Sequence, residues 1–223
     1  YTPVSGIWQS VWLETVPETR FLSYEAVADI DTKSLTVKTL TKETAEGDII
    51  LAEVLEGGVG YSPEKPAEKV IASAKAAEGK AVTVTLPEVK TWSPDSPYLY
   101  GLRLSVIRGC KVLDRVEGYA AMREISVVTD SHNYKRMALN GKPLFQFGPL
   151  DQGWWPDGLY TAPTDEALRY DIVKTKELGF NMIRKHIKIE PARWYFHCDQ
   201  LGMMVWQDMP SIADNTTNKW VYD

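Results

Sequence analysis

A pattern that occurs twice near the C-terminal end constrains the fold most strongly. Residues 178–186 (LGFNMIRKH) and 201–208 (LGMMVWQD) both start with Leu-Gly, continue through an apolar run and finish with polar side chains. Glycine often ends a helix because it adopts the left-handed backbone conformation without strain. A short, almost continuously apolar run is typical of a strand buried on both faces of a parallel sheet. The repeat therefore predicts two parallel strands, each preceded by a helix.

The flanking residues support this interpretation. Residues 163–166 (PTDE) carry a threonine cap and then two acids, which favour the positive end of a helix dipole. Pro191 opens a second helix, where proline is tolerated. We predict strands at residues 144–147, 180–184 and 203–206, with the two helices between them. A β-α-β-α-β order begins either an α/β barrel or an open doubly wound sheet.

The first half of the chain has a different periodicity. Apolar and polar residues alternate, which indicates half-buried antiparallel strands. The alternating apolar positions are Leu35, Val37, Val82, Val84, Leu86, Tyr100, Leu102, Leu104 and Val106. Several such strands separated by turn residues predict an immunoglobulin-like β-sandwich of about a hundred residues. Cys110 and Cys198 lie in unlike contexts, and we do not expect a disulfide between them.

Composition excludes some classes of partner. The 223 residues are 44% hydrophobic with a net charge of −5, and no basic run stands out. Nucleic-acid binding is therefore not expected, and no apolar stretch approaches membrane-spanning length. The chain starts without methionine, within residues that look like a strand, so we expect an internal segment of a longer protein.

The polar ends of the predicted strands are the candidate binding site. In both alternative architectures, ligands bind at the carboxyl ends of parallel strands. The candidate residues there are Arg184, His186, Asp208, Asp151, Trp154 and Trp155. Cations, acids and paired indoles on one rim suit a sugar, whose hydroxyls need polar partners and whose C–H faces pack on aromatic rings.

Each candidate also has a purely structural explanation. Arg184 and Asp208 are also consistent with ion pairs inside the protein, and the two tryptophans with anchors of a long loop. His186 is a candidate donor to a substrate hydroxyl, and Asp151 is a loop acid. His186 and His197 do not have a recognised metal-ligand spacing, and a phosphate-binding glycine loop and a serine nucleophile elbow are both missing. We therefore predict neither a metal nor a cofactor.

Six segments together resemble glycoside hydrolase family 2, which includes β-galactosidases, β-glucuronidases and β-mannosidases. They span almost the whole chain: residues 5–14 (SGIWQSVWLE), 92–100 (WSPDSPYLY), 119–123 (YAAMR), 139–144 (LNGKPL), 180–186 (FNMIRKH) and 205–210 (VWQDMP). The resemblance implies three regions. Residues 1–14 would be the last strand of a jelly-roll domain, residues 15–127 an immunoglobulin-like β-sandwich, and residues 128–223 the first part of a (β/α)8 TIM barrel.

The resemblance also implies an activity. Family members hydrolyse β-glycosides with retention by double displacement between two glutamates. The usual Asn-Glu pair is absent, so we expect both catalytic glutamates to lie beyond residue 223 and this chain alone to be inactive. Glu166 and Glu190 are not candidates for those roles. The implied partner is a β-glycoside, with self-association through exposed barrel edges as a further expectation. The rival hypothesis is a non-catalytic β-sandwich that binds carbohydrate or protein. Family members are often exported, but the sequence leaves the compartment open.

Overall fold

The computed structural model describes residues 3–210, and most of the first half forms a β-sandwich. Its strands are β1 (Arg20–Asp29), β2 (Ser34–Lys42), β3 (Ile49–Val59), β4 (Val70–Ala77), β5 (Val82–Thr85), β6 (Tyr98–Arg108) and β7 (Lys111–Ala120). One sheet has the order β1-β2-β5, and the other has the order β4-β3-β6-β7. All pairs within these two sheets are antiparallel.

The sandwich core consists of the alternating residues that the sequence indicates. All nine predicted apolar positions are buried together between the two sheets, with Ile50, Val54 and Met122 among their neighbours. The side-chain period of two places these residues on the inner face of each strand. The predicted β-sandwich is therefore confirmed.

A small antiparallel sheet follows, made of β8 (Ile125–Thr129), β9 (Lys135–Leu139) and β10 (Lys142–Pro143). The predicted domain boundary at residue 127 falls inside β8, so this sheet lies across it. Residues 3–19 contain no strand, which differs from the strand predicted at residues 5–14. A strand is stable only when its backbone groups find partners, and here that segment has no neighbouring strand. Trp12 is 74% exposed.

The last described part is a parallel β-α-β-α-β unit. Its elements are β11 (Leu150–Asp151), α1 (Asp165–Glu177), β12 (Met182–Lys185), α2 (Ala192–Leu201) and β13 (Met204–Gln207). The sheet order is β11-β12-β13, and both strand pairs are parallel. The oxygen of Thr164 caps α1 by accepting from the Ala167 amide, and Gly202 ends α2 in the left-handed conformation. Both helices therefore begin and end within one or two residues of the predicted positions.

The first strand of this sheet begins later in the chain than predicted. We predict it at residues 144–147, whereas the paired residues are Leu150 and Asp151. Residues 147–149 run beside β12, but the Phe147 amide donates to the side chain of Asn181 instead of a strand carbonyl. Pro149 has no amide to donate, and a Cβ on Gly148 would lie 1.6 Å from the Met182 carbonyl oxygen. Regular pairing therefore begins only at Leu150.

Candidate functional site

The two faces of the parallel sheet differ in what covers them. Ile183 and Val205 pack with both helices, in a cluster that includes Leu168, Ile172 and Trp194. Because side chains alternate along a strand, Arg184 and its register partner Trp206 lie on the opposite face. Trp206 is 41% exposed and Leu150, the other partner of Arg184, is 53% exposed. Toward the amino ends of the strands, Met182 and Met204 of this second face are buried in a cluster with Trp92 and Leu139. The exposed part toward the carboxyl ends, at Arg184, Leu150 and Trp206, is called the helix-free face below.

Arg184 and Asp208 meet at the carboxyl ends of neighbouring strands, as predicted. Nη2 of Arg184 donates to Oδ2 of Asp208 at 2.8 Å, and Nε of Arg184 donates to the same oxygen at 3.1 Å. The two side chains are 48% and 27% exposed. The carboxylate raises the pKa of the guanidinium. This planar pair leaves the remaining guanidinium N–H groups available to a ligand.

His186 follows β12 and contacts the long loop after β11. Its Nδ1 lies 2.7 Å from Nε2 of Gln152, and its backbone amide donates to the Asp151 carbonyl at 2.8 Å. Both contacts hold the imidazole ring against the start of this loop. Gln152 was not among the predicted site residues, since a single glutamine in a loop gives no sequence signal.

The two tryptophans of this loop have different surroundings. Trp154 packs edge-on against Tyr160, with 5.3 Å between ring centroids. Trp155 forms an antiparallel bridge with Leu159 through its backbone, and its buried indole nitrogen has no hydrogen-bond partner within the described chain. Both rings are half-buried. The loop is thus a compact aromatic segment rather than an open chain.

Asp151 belongs to a buried ionic network that the sequence did not reveal. Its Oδ2 accepts from Nζ of Lys185 at 2.6 Å, and the same nitrogen donates to Oε1 of Glu190 at 3.0 Å. Nζ of Lys188 lies 3.1 Å from that glutamate oxygen. The side chains of both lysines and of Glu190 are at most 2% exposed. Burial lowers the pKa of Lys188, against the opposing effect of Glu190.

No three or more His, Cys, Asp or Glu side chains are grouped to hold a metal ion within residues 3–210. Cys110 is exposed, Cys198 is buried, and both are free thiols. Neither helix of the described chain is long and apolar enough to span a membrane.

Two motifs behind the family resemblance lie at the junction between the sandwich and α2. Asp199 accepts from Nη1 of Arg123 at 2.6 Å and from the Tyr119 hydroxyl at 3.0 Å. The Trp92 indole donates to the Asp199 carbonyl at 2.7 Å, and the Arg123 guanidinium lies 4.6 Å from the centroid of that ring. These residues therefore join two parts of the molecule and do not contribute to the strand-end site.

Comparison with known proteins finds similar sequences. Residues 18–123 match the sequence profile of Glycosyl hydrolases family 2. A β-galactosidase from Thermoanaerobacter pseudethanolicus is 26% identical over 233 residues, which cover 99% of this chain and 29% of that protein.

Two solved structures share the fold. An FMN-binding β-glucuronidase from Facaelibacterium prausnitzii L2-6 superimposes with a TM-score of 0.72 at 21% identity, covering 87% of this chain and 30% of that one. A β-glucuronidase from Ruminococcus gnavus in complex with D-glucuronic acid gives 0.70 at 18% identity, covering 88% and 31%. The chain thus spans less than a third of the length of each of these proteins. The resemblance read from the sequence motifs is confirmed, and the chain is related to the glycosyl hydrolases of family 2.

Proposed function

We propose that this chain is part of an enzyme that hydrolyses β-glycosidic bonds, and that the helix-free face of its parallel sheet lines the sugar-binding site. The observation that carries the proposal is the Arg184–Asp208 pair, which lies at the carboxyl ends of two neighbouring parallel strands. Ligands bind at that edge in α/β barrels and in open α/β sheets. The pair would hold a sugar hydroxyl between a donor and an acceptor.

We further propose that the three-stranded sheet is the first part of a (β/α)8 barrel. Parallel sheets are normally buried on both faces, and the helix-free face exposes apolar side chains. Leu150 is 53% exposed and Trp206 41%, and both are register partners of Arg184 on this face. Closure of the sheet on itself would bury this face, and the polar strand ends would then surround a pocket.

His186 and Trp154 complete the proposed pocket on the β11 side. The Gln152 contact holds the His186 ring at the loop, where the imidazole would bind a sugar hydroxyl. The half-buried ring of Trp154 offers an apolar surface for the C–H face of a sugar. Trp155 lies in the same loop, next to Trp154. We propose Asp151 as the residue that holds the start of this loop, through its ion pair with Lys185.

The double-displacement mechanism implied by the family needs two carboxyl groups about 5–5.5 Å apart, one as nucleophile and one that first donates a proton to the leaving group. The strand-end carboxylates of the described chain are each bound to a cation: Asp208 to Arg184, and Asp151 and Glu190 to Lys185. We therefore propose that residues 1–223 alone do not catalyse hydrolysis and that the catalytic pair is supplied by other parts of the enzyme.

An assay with p-nitrophenyl β-D-galactoside and β-D-glucuronide tests this proposal. The purified 223-residue chain should show no turnover, whereas the natural gene product should hydrolyse at least one β-glycoside. Turnover by the isolated chain would contradict the assignment of the catalytic groups. A natural gene product that is folded but inactive on a panel of β-glycosides would contradict the function.

Calorimetric titration with galactose and glucuronate tests the site itself. Arg184→Ala should weaken sugar binding, because the variant removes the donor of the pair. Lys38→Ala is the control, since Lys38 forms an exposed ion pair with Glu25 at 3.6 Å between β2 and β1 of the sandwich. Equal affinities for both variants would remove Arg184 from the site. Self-association without sugar binding would favour the rival interpretation, a protein-binding module.

A further inference from the structure

The side chains of Lys185, Lys188 and Glu190 form a buried ionic network. Removing charges from water costs free energy that apolar side chains in the same place would not cost. Buried ion pairs often contribute little net stability compared with a well-packed apolar core, but loss of one partner is strongly destabilising. Their presence therefore calls for an explanation in terms of what the charges contact.

Both ends of the loop after β11 are attached to this network. At the start of the loop, Lys185 binds the carboxylate of Asp151, and Nζ of Lys188 donates to the Gly153 carbonyl at 2.7 Å. At its far end, the same Lys188 nitrogen donates to the Tyr160 carbonyl at 2.8 Å. Glu190 contacts both lysine nitrogens. One carboxylate thus holds the two cations that close the loop.

Two aromatic rings, Tyr160 of the loop and Trp8 of the N-terminal segment, lie beside the same cation. Nζ of Lys188 lies 4.4 Å from the centroid of the Tyr160 ring and 5.0 Å from that of Trp8. Tyr160 in turn contacts Trp154 edge-on. A cation beside two ring faces is attracted to both. Lys188 is therefore connected to Trp154 through Tyr160.

The loop backbone fits closely against the network. A Cβ added to Gly153 would lie 2.3 Å from Oε1 of Glu190 and 2.8 Å from Nζ of Lys188, and its φ of +64° favours glycine. His186 is connected to the same loop, because Gln152 contacts its ring and Asp151 accepts from its amide. The network is therefore in direct contact with the segment that carries the candidate sugar-binding groups.

We propose that Glu190 is a positioning residue: by holding Lys185 and Lys188 it keeps the 151–160 loop, and with it Trp154 and the Gln152–His186 pair, in a preformed arrangement at the rim of the site. This inference rests on the proposed function, because the groups it positions are those assigned to the sugar. Preorganised binding groups raise affinity because less conformational freedom is lost on binding.

Hydrogen exchange of the loop amides tests this proposal without requiring activity. In the native chain the Trp155 and Leu159 amides donate to each other's carbonyls at 2.7 and 3.0 Å, so both should exchange slowly. In Glu190→Gln, the two buried lysines lose a charge partner, and exchange of these amides should accelerate by a factor on the order of 100. Glu166→Gln, at an exposed position of α1, is the control and should leave the loop unchanged.

A charge-balanced double variant separates positioning from a merely structural role. Lys188→Gln combined with Glu190→Gln removes one buried charge of each sign, so the melting temperature should recover toward that of the native chain. The loop should still exchange rapidly, because the contacts of Lys188 with Gly153 and Tyr160 are lost. Recovery of both quantities, or unchanged loop exchange in Glu190→Gln, would overturn the proposal.

If Glu190→Gln does not fold, Gly153→Ala provides the same test with every charge retained. The added methyl displaces the loop from the network, and loop exchange should again accelerate; slow exchange would contradict the proposal. Sugar titration of each variant is the second measurement. Failure of the native chain and the natural gene product to bind any glycoside would refute the proposed function, while the exchange comparison would still decide whether Glu190 positions the loop.

Discussion

At the scale of single residues, two neighbouring cations have opposite environments. The side chain of Arg184 is 48% exposed beside Asp208, whereas that of Lys185 is 1% exposed beside Asp151 and Glu190. The difference arises because successive side chains of a strand point to opposite faces. Arg184 and Asp208 could be predicted as neighbours from strand direction alone. The buried lysines could not, because lysine and glutamate are almost never buried unless paired, and the pairing depends on a loop distant in sequence.

This contrast predicts that two matched substitutions lower the free energy of unfolding by unequal amounts. Arg184→Met breaks an exposed pair and should lower the free energy of unfolding by less than about 1 kcal/mol. Lys185→Met leaves two carboxylates with one cation fewer in a buried site, and the loss should be about 3–5 kcal/mol. Urea unfolding followed by tryptophan fluorescence measures both. Similar losses of unfolding free energy for the two variants would show that the charges around Lys185 are screened by solvent, contrary to their burial in the structure.

At the scale of elements, local signals predict where helices end, whereas the start of the first parallel strand depends on a residue distant in sequence. Thr164 and Gly202 mark helix ends through their own backbone and side-chain chemistry, so their positions could be predicted from the sequence. The predicted first strand of the parallel sheet begins too early in the chain. Its actual start depends on Asn181, which lies more than thirty residues away and accepts a hydrogen bond from the Phe147 amide. The apolar residues 144–147 give no indication of that contact.

The two glycines that follow the helices should differ in their tolerance of a side chain. Gly179 and Gly202 both have positive φ, of +87° and +76°, but only Gly202 is crowded: its added Cβ would lie 2.3 Å from the Pro94 carbonyl oxygen. Gly179→Ala should therefore cost about 1–2 kcal/mol from backbone strain alone. Gly202→Ala should lower the free energy of unfolding clearly more, because the methyl group also displaces the loop that contains Pro94. Thermal unfolding of the two variants checks this order, and equal midpoints would contradict it.

At the scale of the whole molecule, the sandwich and the α/β unit are joined by specific polar contacts. Asp199 of α2 binds Arg123 and Tyr119, and burial next to Asp199 raises the pKa of the Tyr119 hydroxyl. From α1, Lys176 donates to the Pro94 carbonyl at 2.6 Å. The family motifs around Trp92 and Arg123 thus couple the two halves, a role that the sequence resemblance did not specify.

The polar contacts of Asp199 should make the two halves of the chain unfold together. Asp199→Ala removes the acceptor shared by Arg123 and Tyr119, so both donors lose their partner at a part-buried interface and the junction should weaken. The native chain should unfold in one calorimetric transition, because each half stabilises the other through the junction. The variant should unfold in two, with the α/β unit melting first, since its helix-free face leaves it less buried than the sandwich. Asp157→Asn, on an exposed loop, is the control and should keep one transition. A single transition in Asp199→Ala, at a lower temperature, would show that the apolar contacts of Met182 and Met204 with the sandwich side are sufficient to couple the halves without the polar ones.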